Sequence, residues 1–430
     1  MNSSAQAAAA QDNAAHDNAA GGGQPDRGLP GLLYGEAEEQ LRAAVRDLLR
    51  ERADWSAVLA RTETSEPYDT ALWGVLAAEV GCAGLLIPES HGGAGASYRE
   101  AAVVAEETGR AAAPVPYLGS AVVATAAVLS AGDAELLSGL AAGTVTAALA
   151  VPFASRPGDT GRPGSTSSQG ASPAPTVRVA PPRPGDPAGQ ARLTGAVTGV
   201  ADALPASVLL VPADGVPAGL YAVDAGAPRL TVTPVVSLDQ TRPLADLSLD
   251  SVPARRLASG PDARRAVAAA LAAGAAMLAA EQLGVAERCL EMTVDYLKER
   301  YQFARPIGSF QALKHRAADL WVAISQARAA SRYAAACLAD GDADAPVAVA
   351  LAKAACGDAA TLAARECVQL HGGIGFTWEH PAHLYLKRAT SSSIAFGTPD
   401  WHRASLAGLA GLPPAPAAGG PAAMKAAGAQ

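Results

Sequence analysis

Residues 296–311 read YLKERYQFARPIGSFQ and join two of the long helices that decide the fold. The apolar periodicity from about Asp262 to Lys298 predicts a helix that ends near residues 300–303. A Pro-Ile-Gly turn follows, and Gln311 begins the next periodic segment. Arginine and glutamine at such helix ends suit a phosphate or an amide-rich ring, because the arginine fork makes bidentate phosphate contacts. An arginine near a helix C-terminus is also commonly a dipole partner only, so this segment alone does not decide the function.

A second glycine-rich segment, QLHGGIGFTWEH, spans residues 369–380. Gly372, Gly373 and Gly375 let the backbone turn tightly after a helix and approach a ligand closely. A glycine C-cap explains one of these glycines, but it explains three of them together with Gln369 poorly. The segment therefore favours a ligand-facing turn at the end of a helix.

Along the rest of the chain, the periodicity of the apolar residues changes twice. Residues 31–142 have helical periodicity, residues 143–258 contain short β-type runs bounded by Pro, Gly or Asp, and residues 259–411 are helical again. We predict an N-terminal helical domain, a central β domain and a C-terminal bundle. Residues 1–30, the Pro/Gly/Ser-rich insertion 155–190 and the tail 412–430 have few large apolar side chains and are predicted to be disordered.

The composition excludes several classes of protein. Half of the 430 residues are hydrophobic, 17% are charged, and the formal net charge is −8, so a nucleic-acid or anionic-membrane surface is disfavoured. The five cysteines lie in apolar stretches without CxxC spacing, which predicts buried thiols and no disulfide or zinc site. His380 and His383 flank Pro381 and have no recognised ligand set, so no metal is expected. With neither a signal peptide nor a convincing membrane span, we expect a cytoplasmic protein.

Together with GLLIPESHGGAG at residues 84–95, the two segments and the domain order resemble the acyl-CoA dehydrogenase family. Members of this family oxidise the α,β bond of an acyl-CoA thioester with FAD. The resemblance covers residues 35 to 411. It implies an α+β fold with an N-terminal helical domain, a central β domain and a C-terminal four-helix bundle. It also implies an FAD cofactor, an acyl-CoA substrate and an electron-transfer acceptor protein.

The resemblance also implies the cofactor-binding residues. In the family, the Arg-x-Gln-Phe and Gln-x-x-Gly-Gly segments reach across a subunit interface to FAD held mainly by the neighbouring subunit. Arg300 would pair with the pyrophosphate, whereas Phe303 and Gln311 would lie near the adenosine half. The residues implied in this way are Arg300, Gln302, Phe303, Gln311, Gln369, Gly372 and Gly373.

Two positions depart from the family pattern. The first strand of the β domain usually leads into a Thr-Glu-Pro-x-x-Gly-Ser type loop that contacts the flavin, but here residues 150–155 read AVPFAS. The catalytic glutamate usually follows the last glycine of the Gly-Gly-x-Gly turn by about 21 residues, where this chain has Phe396. Some members place the base about 26 residues before the arginine, where this chain has Gly274. The resemblance therefore leaves the catalytic residue unknown.

The chain has the motifs that reach across a subunit interface, but it lacks the usual catalytic base and the loop that contacts the flavin. This combination leads to the hypothesis of a hetero-oligomer, in which this chain completes the FAD site of a related subunit. Two alternatives remain open. A self-sufficient homo-oligomer could use Glu281, two helical turns beyond Gly274, as its base in a dehydrogenase or oxidase reaction. The structural interpretation of Glu281 is a polar residue whose hydrogen bonds are satisfied at a helix–helix contact. The second alternative, outside the enzymes, is an inert thioester-binding scaffold.

Overall fold

Short helices form the N-terminal part of the chain, and capping side chains determine where several of them begin. The computed structural model describes residues 31–158, 177–180 and 190–412. Asp54, Asp69 and Asp133 each accept a backbone N–H at a helix N-terminus, and Ser97 with Glu100 forms a capping box. The helices are α1 (Glu36–Arg52), α2 (Trp55–Thr62), α3 (Thr70–Gly74), α4 (Tyr98–Arg110), α5 (Thr125–Ala131) and α6 (Ala134–Ala141). Residues Val75–Glu79 and Tyr117–Ala124 form π-helical turns.

A seven-stranded sheet forms the central part. Its strands are β1 (Ala147–Leu149), β2 (Arg178–Ala180), β3 (Gln190–Ala201), β4 (Val208–Ala213), β5 (Gly219–Asp224), β6 (Leu230–Val235) and β7 (Leu244–Ser259). The order is β1-β4-β5-β7-β3-β2, with β6 also paired to β7, and β1 with β4 is the one parallel pair among these seven strands. The β-type runs in the sequence correspond to β1, β4, β5 and β6. The longer β3 and β7 were missed because glycine, proline and charged residues interrupt their alternation.

Part of the predicted insertion is ordered, so the prediction of disorder throughout residues 155–190 is wrong. Residues 178–180 form β2 and pair antiparallel with β3, with Val179 opposite Leu193. Val177 is completely buried in the core of the sheet. A pair of valines supplies enough apolar surface for one short edge strand, although the surrounding composition is polar. The predicted arm (1–30), most of the predicted tail (413–430), and residues 159–176 and 181–189 lie outside the described residues.

The C-terminal part consists of helices packed on one central helix. They are α7 (Gly260–Glu299), α8 (Gln311–Asp340), α9 (Ala345–His371), α10 (Ala382–Ile394) and α11 (Pro399–Leu409), and a two-residue hairpin, β8 (Tyr301–Gln302) with β9 (Arg305–Pro306), follows α7. Helix α7 packs on α8, α9 and α10 and also on α4 and α5 of the N-terminal part. The predicted α+β fold of helical domain, β domain and helical bundle is confirmed.

Two glycines allow α4 and α7 to cross closely. A Cβ atom on Gly109 would lie 2.1 Å from the carbonyl oxygen of Glu281, and one on Gly284 would lie 1.9 Å from that of Glu106. Neither distance is compatible with a side chain, so both helices need glycine at the crossing. One hydrophobic core therefore runs from the N-terminal helices through α7 into the C-terminal helices, while a second core lies within the sheet.

By length and composition, α7 and the segment Ala345–Phe376 are apolar enough to cross a membrane. In α7, however, 83% of the most apolar window is buried inside the protein, and in the second segment the share is 67%. Packing against the other helices accounts for the apolar character of both, as it does for a core helix.

Candidate functional site

The seven residues implied by the resemblance lie at one end of the C-terminal helices. Arg300 follows the end of α7, Gln311 begins α8, and Gln369 lies in the last turn of α9. The end of α7 meets the end of α9, because the rings of Tyr296 and His371 lie 4.5 Å apart. The first turns of α8 also reach the end of α9, where Arg316 donates to Glu366 at 2.7 Å. Together they form an exposed edge, called the cofactor edge below. It consists of Arg300, Gln302, Phe303, Gln311, Gln369, Gly372 and Gly373.

Large aromatic side chains surround this edge without being buried. Phe303 is 86% exposed and Phe376 is 75% exposed, and Tyr301 and Trp378 are also exposed. Phe303 adopts a left-handed backbone conformation, with φ of 54°, in the tight turn between β8 and β9. A cluster of exposed aromatic rings on one face is typical of a surface that contacts another molecule.

The polar groups of the cofactor edge are open to a ligand from outside the chain. The side chains of Arg300 and Gln311 make no hydrogen bond or ion pair within the described ranges. A Cβ atom on Gly372 or Gly373 would meet no atom within 4 Å, so the backbone there is accessible. The N-cap residue of α8, Phe310, offers no side-chain acceptor to the first-turn N–H groups. An anionic group such as a pyrophosphate therefore fits this edge. The role of these residues in binding FAD stays a prediction.

The two positions where the family carries its base meet inside the chain. A Cβ atom on Gly274 in α7 would lie 2.9 Å from Cζ of Phe396, which follows α10. Phe396 also packs edge-on against Phe153, with ring centroids 5.5 Å apart. Both phenylalanines are buried, and the N–H of Phe396 donates to the carbonyl oxygen of Phe153 at 3.0 Å. Hydrocarbon therefore fills the place where the resemblance implies a carboxylate.

Little free volume remains in the internal cleft beside this contact. A void of about 20 Å³ remains between Leu118, Val123, Asp202 and the two phenylalanines. Such a volume holds about one water molecule and cannot admit a tricyclic ring. The cleft thus does not fit a flavin, whereas the cofactor edge fits the phosphate half of one. We call Phe153 and Phe396 the phenylalanine plug.

The backbone turn that carries Phe396 is fixed by buried polar side chains. Phe396 has a φ of 51°, and its carbonyl oxygen accepts from Nε2 of His402 at 2.9 Å. Lys353, which is completely buried, donates from Nζ to the carbonyl oxygen of Ser392 in the last turn of α10 at 3.0 Å. Burial lowers the pKa of Lys353 to about 7. These contacts hold the plug in place from the side of the helical bundle.

Glu281 is held by two buried arginines. Nε of Arg388 donates to Oε1 at 2.8 Å, and NH1 of Arg242 donates to the same oxygen at 3.1 Å while NH2 contacts Oε2. Burial alone would raise the pKa of Glu281, but the charges and hydrogen bonds of Arg242 and Arg388 outweigh it and lower the pKa to about 2. The carboxylate joins the loop before β7 to α7 and α10. The interpretation of Glu281 as a satisfied polar residue at a helix contact is confirmed.

A second buried carboxylate, Asp202, lies at the rim of the void. The hydroxyl of Tyr68 donates to its Oδ1 at 2.7 Å, and the N–H of Gly119 donates to its Oδ2 at 2.8 Å. Both oxygens are therefore engaged by donors from the N-terminal helical part. Burial raises the pKa of Asp202 despite the nearby charge of Arg242. Its contacts fasten the end of β3 to the helices rather than directing the carboxylate at a substrate.

Sequence reasoning missed this buried polar cluster, although one signal for it exists. Glu281 interrupts a long apolar helix, and a buried carboxylate requires a cationic partner. That rule predicts a partner but does not select Arg242 or Arg388 among the many arginines of the chain. All five cysteines are buried and free, as predicted. Within the described ranges there is no group of three or more potential metal ligands.

Helices before and after a small sheet along the chain, a glycine-rich turn and an arginine at the end of the bundle are together typical of the acyl-CoA dehydrogenase fold. Residues 35–144 match the model of the acyl-CoA dehydrogenase N-terminal domain, and residues 264–408 match that of the C-terminal domain. The chain belongs to the acyl-CoA dehydrogenase family.

Individual relatives cover nearly the whole chain. It is 37% identical over 365 residues to the acyl-CoA dehydrogenase IpdE2 of Mycobacterium tuberculosis, covering 85% of this chain and 94% of the relative. Among solved structures, a variant of the Tcur3481–Tcur3483 steroid ACAD is 32% identical with a TM-score of 0.75, covering 89% of this chain and 99% of that one. The ChsE4–ChsE5 complex of Mycobacterium tuberculosis is 27% identical with a TM-score of 0.76, covering 90% of this chain and all of the matched chain.

Proposed function

We propose that this chain is a subunit of an FAD-dependent acyl-CoA dehydrogenase that acts together with a homologous subunit. The observation that carries the proposal is the contrast between two places in the chain. The cofactor edge is open and has unpaired polar groups, whereas the internal cleft is filled by the phenylalanine plug. A chain of this kind can complete a neighbour's cofactor site but cannot hold a flavin ring in its own cleft.

The roles of the two subunits follow from the chemistry. Dehydrogenation removes a proton from Cα and a hydride from Cβ, and FAD, when bound, accepts the hydride. Arg300 would neutralise pyrophosphate charge, and Gln311, Gln369 and the backbone at Gly372 would orient the cofactor along the edge. The carboxylate that removes the Cα proton would come from the partner, because neither Phe396 nor Gly274 can accept a proton.

The relatives support a heteromeric assembly and a bulky substrate. Two of the similar solved structures are described as paired proteins, ChsE4–ChsE5 and Tcur3481–Tcur3483, and the latter is described as a steroid ACAD. We extend both features to this chain as part of the proposal. The substrate class is then a CoA thioester of a ring-bearing, steroid-derived acid, with electrons passed on to an acceptor protein.

The alternative of a self-sufficient enzyme that uses Glu281 is disfavoured by the geometry. A carboxylate that two guanidinium groups hold, with a pKa of about 2, is a poor base at neutral pH. An inert thioester-binding scaffold remains as the alternative outside the enzymes, and the experiment below distinguishes it.

The test is expression of the chain alone and with a homologous subunit that carries the family glutamate, followed by visible spectroscopy. We expect bound flavin only in the co-purified pair, and bleaching of its absorbance on addition of a steroid-derived acyl-CoA. Flavin and bleaching in the chain alone would support the self-sufficient enzyme instead. Absence of flavin in both samples would support the scaffold.

A further inference from the structure

A stack of three rings lies directly beneath the cofactor edge. The ring of His371 is tilted against that of Tyr296 at 4.5 Å and against that of His380 at 4.1 Å between centroids. Tyr296 lies one helical turn before Arg300, and the N–H of Arg300 donates to its carbonyl oxygen at 2.9 Å. His371 immediately precedes Gly372. The stack therefore joins the segment that carries Arg300 to the glycine turn.

Backbone contacts fix His371 within this stack. Its Nδ1 lies 2.6 Å from the carbonyl oxygen of Cys367, so Nδ1 carries the proton and donates. The turn folds back onto the ring, because a Cβ atom on Gly375 would lie 3.2 Å from Cβ of His371 and 2.6 Å from the carbonyl oxygen of Val368. His371 is almost completely buried and does not face the cofactor edge itself.

The third ring belongs to the segment that leads into α10. Nδ1 of His380 accepts from the N–H of Ala382 at 3.2 Å, and burial lowers its pKa to about 4, so His380 is neutral at neutral pH. A neutral ring beside His371 avoids the repulsion that two imidazolium groups would cause. The stack thus packs the end of α7, the end of α9 and the segment before α10 against one another, and the ring of His380 carries no charge.

We propose that His371 is a positioning residue that holds Arg300 and the Gln369–Gly373 turn at a fixed separation, so that they act on one cofactor as a unit. This inference rests on the proposed function of the cofactor edge. Without the ring, the end of α7 loses its contact with the residue that begins the turn after α9, although the two helices still pack along their length. The alanine variant loses both the stacking and the hydrogen bond, whereas a phenylalanine variant keeps the stacking.

The first measurement uses the chain alone and does not depend on flavin. We expect His371→Ala to speed hydrogen exchange in residues 300–307 and 372–377 together, by roughly fivefold, which is the scale expected for the loss of one aromatic contact. His371→Phe should restore slow exchange in residues 300–307. The matched control is His91→Ala, in a turn remote from the stack, which should change neither segment. Faster exchange in residues 372–377 alone would overturn the proposal, because the histidine would then order only its own turn.

The second measurement uses the flavin-loaded pair. Arg300→Ala and His371→Ala should each weaken flavin retention, and the double variant should lose less than the product of the two single effects, because a displaced Arg300 has already lost much of its contact. Strictly multiplicative losses would contradict positioning of Arg300 by His371. If the pair with the unmodified chain holds no flavin, the proposed function fails, while the exchange measurement still decides whether the stack couples the two segments.

Discussion

At the scale of single residues, Glu281 decides between two interpretations of the chain. The sequence shows a carboxylate in an apolar helix, which fits both a catalytic base and a buried structural charge. The partners that decide the matter lie 39 and 107 positions away, at Arg242 and Arg388. Local periodicity contains no information on such distant pairs, so the role of Glu281 could not be predicted from the sequence. The absence of a carboxylate at position 396, by contrast, could be read directly.

We predict that Glu281→Gln destabilises the chain without removing a catalytic group. Two buried guanidinium groups lose the carboxylate that they share, and breaking a buried pair in this way costs about 3 kcal/mol or more, although Asp239 still lies 3.6 Å from NH1 of Arg388. Glu299→Gln, on the exposed end of the same helix, is the matched control and should be neutral. The free energy of unfolding from urea titration measures both effects. A loss of three or more orders of magnitude in turnover by a stably assembled, flavin-loaded Glu281→Gln pair would contradict this structural role.

The same substitution predicts a pH dependence. Folding lowers the pKa of Glu281 from its ordinary 4.5 to about 2, so its stabilisation is complete above pH 4.5 and is lost as the pH falls toward 2. The difference in unfolding free energy between the unmodified chain and Glu281→Gln should therefore shrink with acid over that interval. A constant difference down to pH 2 would show that the charge of Glu281 contributes nothing.

Arg300→Ala should weaken flavin retention by the assembled pair but leave the fold intact. The guanidinium group is exposed and has no partner within the described ranges, so its loss removes no contact from the folded chain. Loss of a charge-assisted contact to pyrophosphate costs on the order of 1.5–3 kcal/mol, or about ten- to a hundredfold in affinity. Flavin content after dilution and gel filtration measures this. Unchanged occupancy would show that Arg300 is only a charge at a helix end.

At the scale of elements, the sequence predicts the long helices well and the sheet in part. Helices α7, α8 and α9 have a sustained apolar period; the bounds of α7 closely match the predicted Asp262 to Lys298, and α8 begins at Gln311 as predicted. Strands β2, β3 and β7 depend on pairing with one another, and β7 contacts three other strands at once. Pairing of β3 with β7 across 43 to 65 residues compensates for poor local propensity, so alternation within a strand could not reveal it.

The ordered strand β2 changes what a deletion of residues 155–190 should do. Composition alone predicts a neutral deletion, but the deletion removes β2 together with the buried side chain of Val177 and leaves the edge of β3 unpaired. We expect the deletion to lower the melting temperature by several degrees, because burial of one such side chain contributes about 1.5–3 kcal/mol. A Gly/Ser linker of equal length in place of residues 159–176 should leave the melting temperature unchanged. Equal melting temperatures for both variants would show that β2 contributes no stability.

At the scale of the whole molecule, the resemblance in sequence indicates two functional places, and the structure shows that they lie in different surroundings. The cofactor edge could be predicted from its motifs because its residues are close in sequence to helix ends, and its role in binding FAD stays a prediction. The filled cleft could not be predicted, because the phenylalanine plug combines positions 153 and 396 with Gly274, and they meet only in the folded chain. Under the proposed function, this chain supplies the open edge and a complementary subunit supplies the cleft that accepts the flavin ring.

This arrangement predicts the flavin content of the assembled enzyme. If only the partner's cleft accepts a flavin ring, the pair should contain one flavin for every two chains, because the void of about 20 Å³ in this chain admits no ring. The ratio of flavin absorbance to protein concentration in the purified pair measures the content, and a homo-oligomeric relative with one flavin per chain is the control. Phe396→Glu would supply a carboxyl group at the family position but leave Phe153 in the cleft, so it should not raise the ratio. A content of one flavin per chain would show that the cleft of this chain accepts a flavin ring, and the proposed roles of the two subunits would then be wrong.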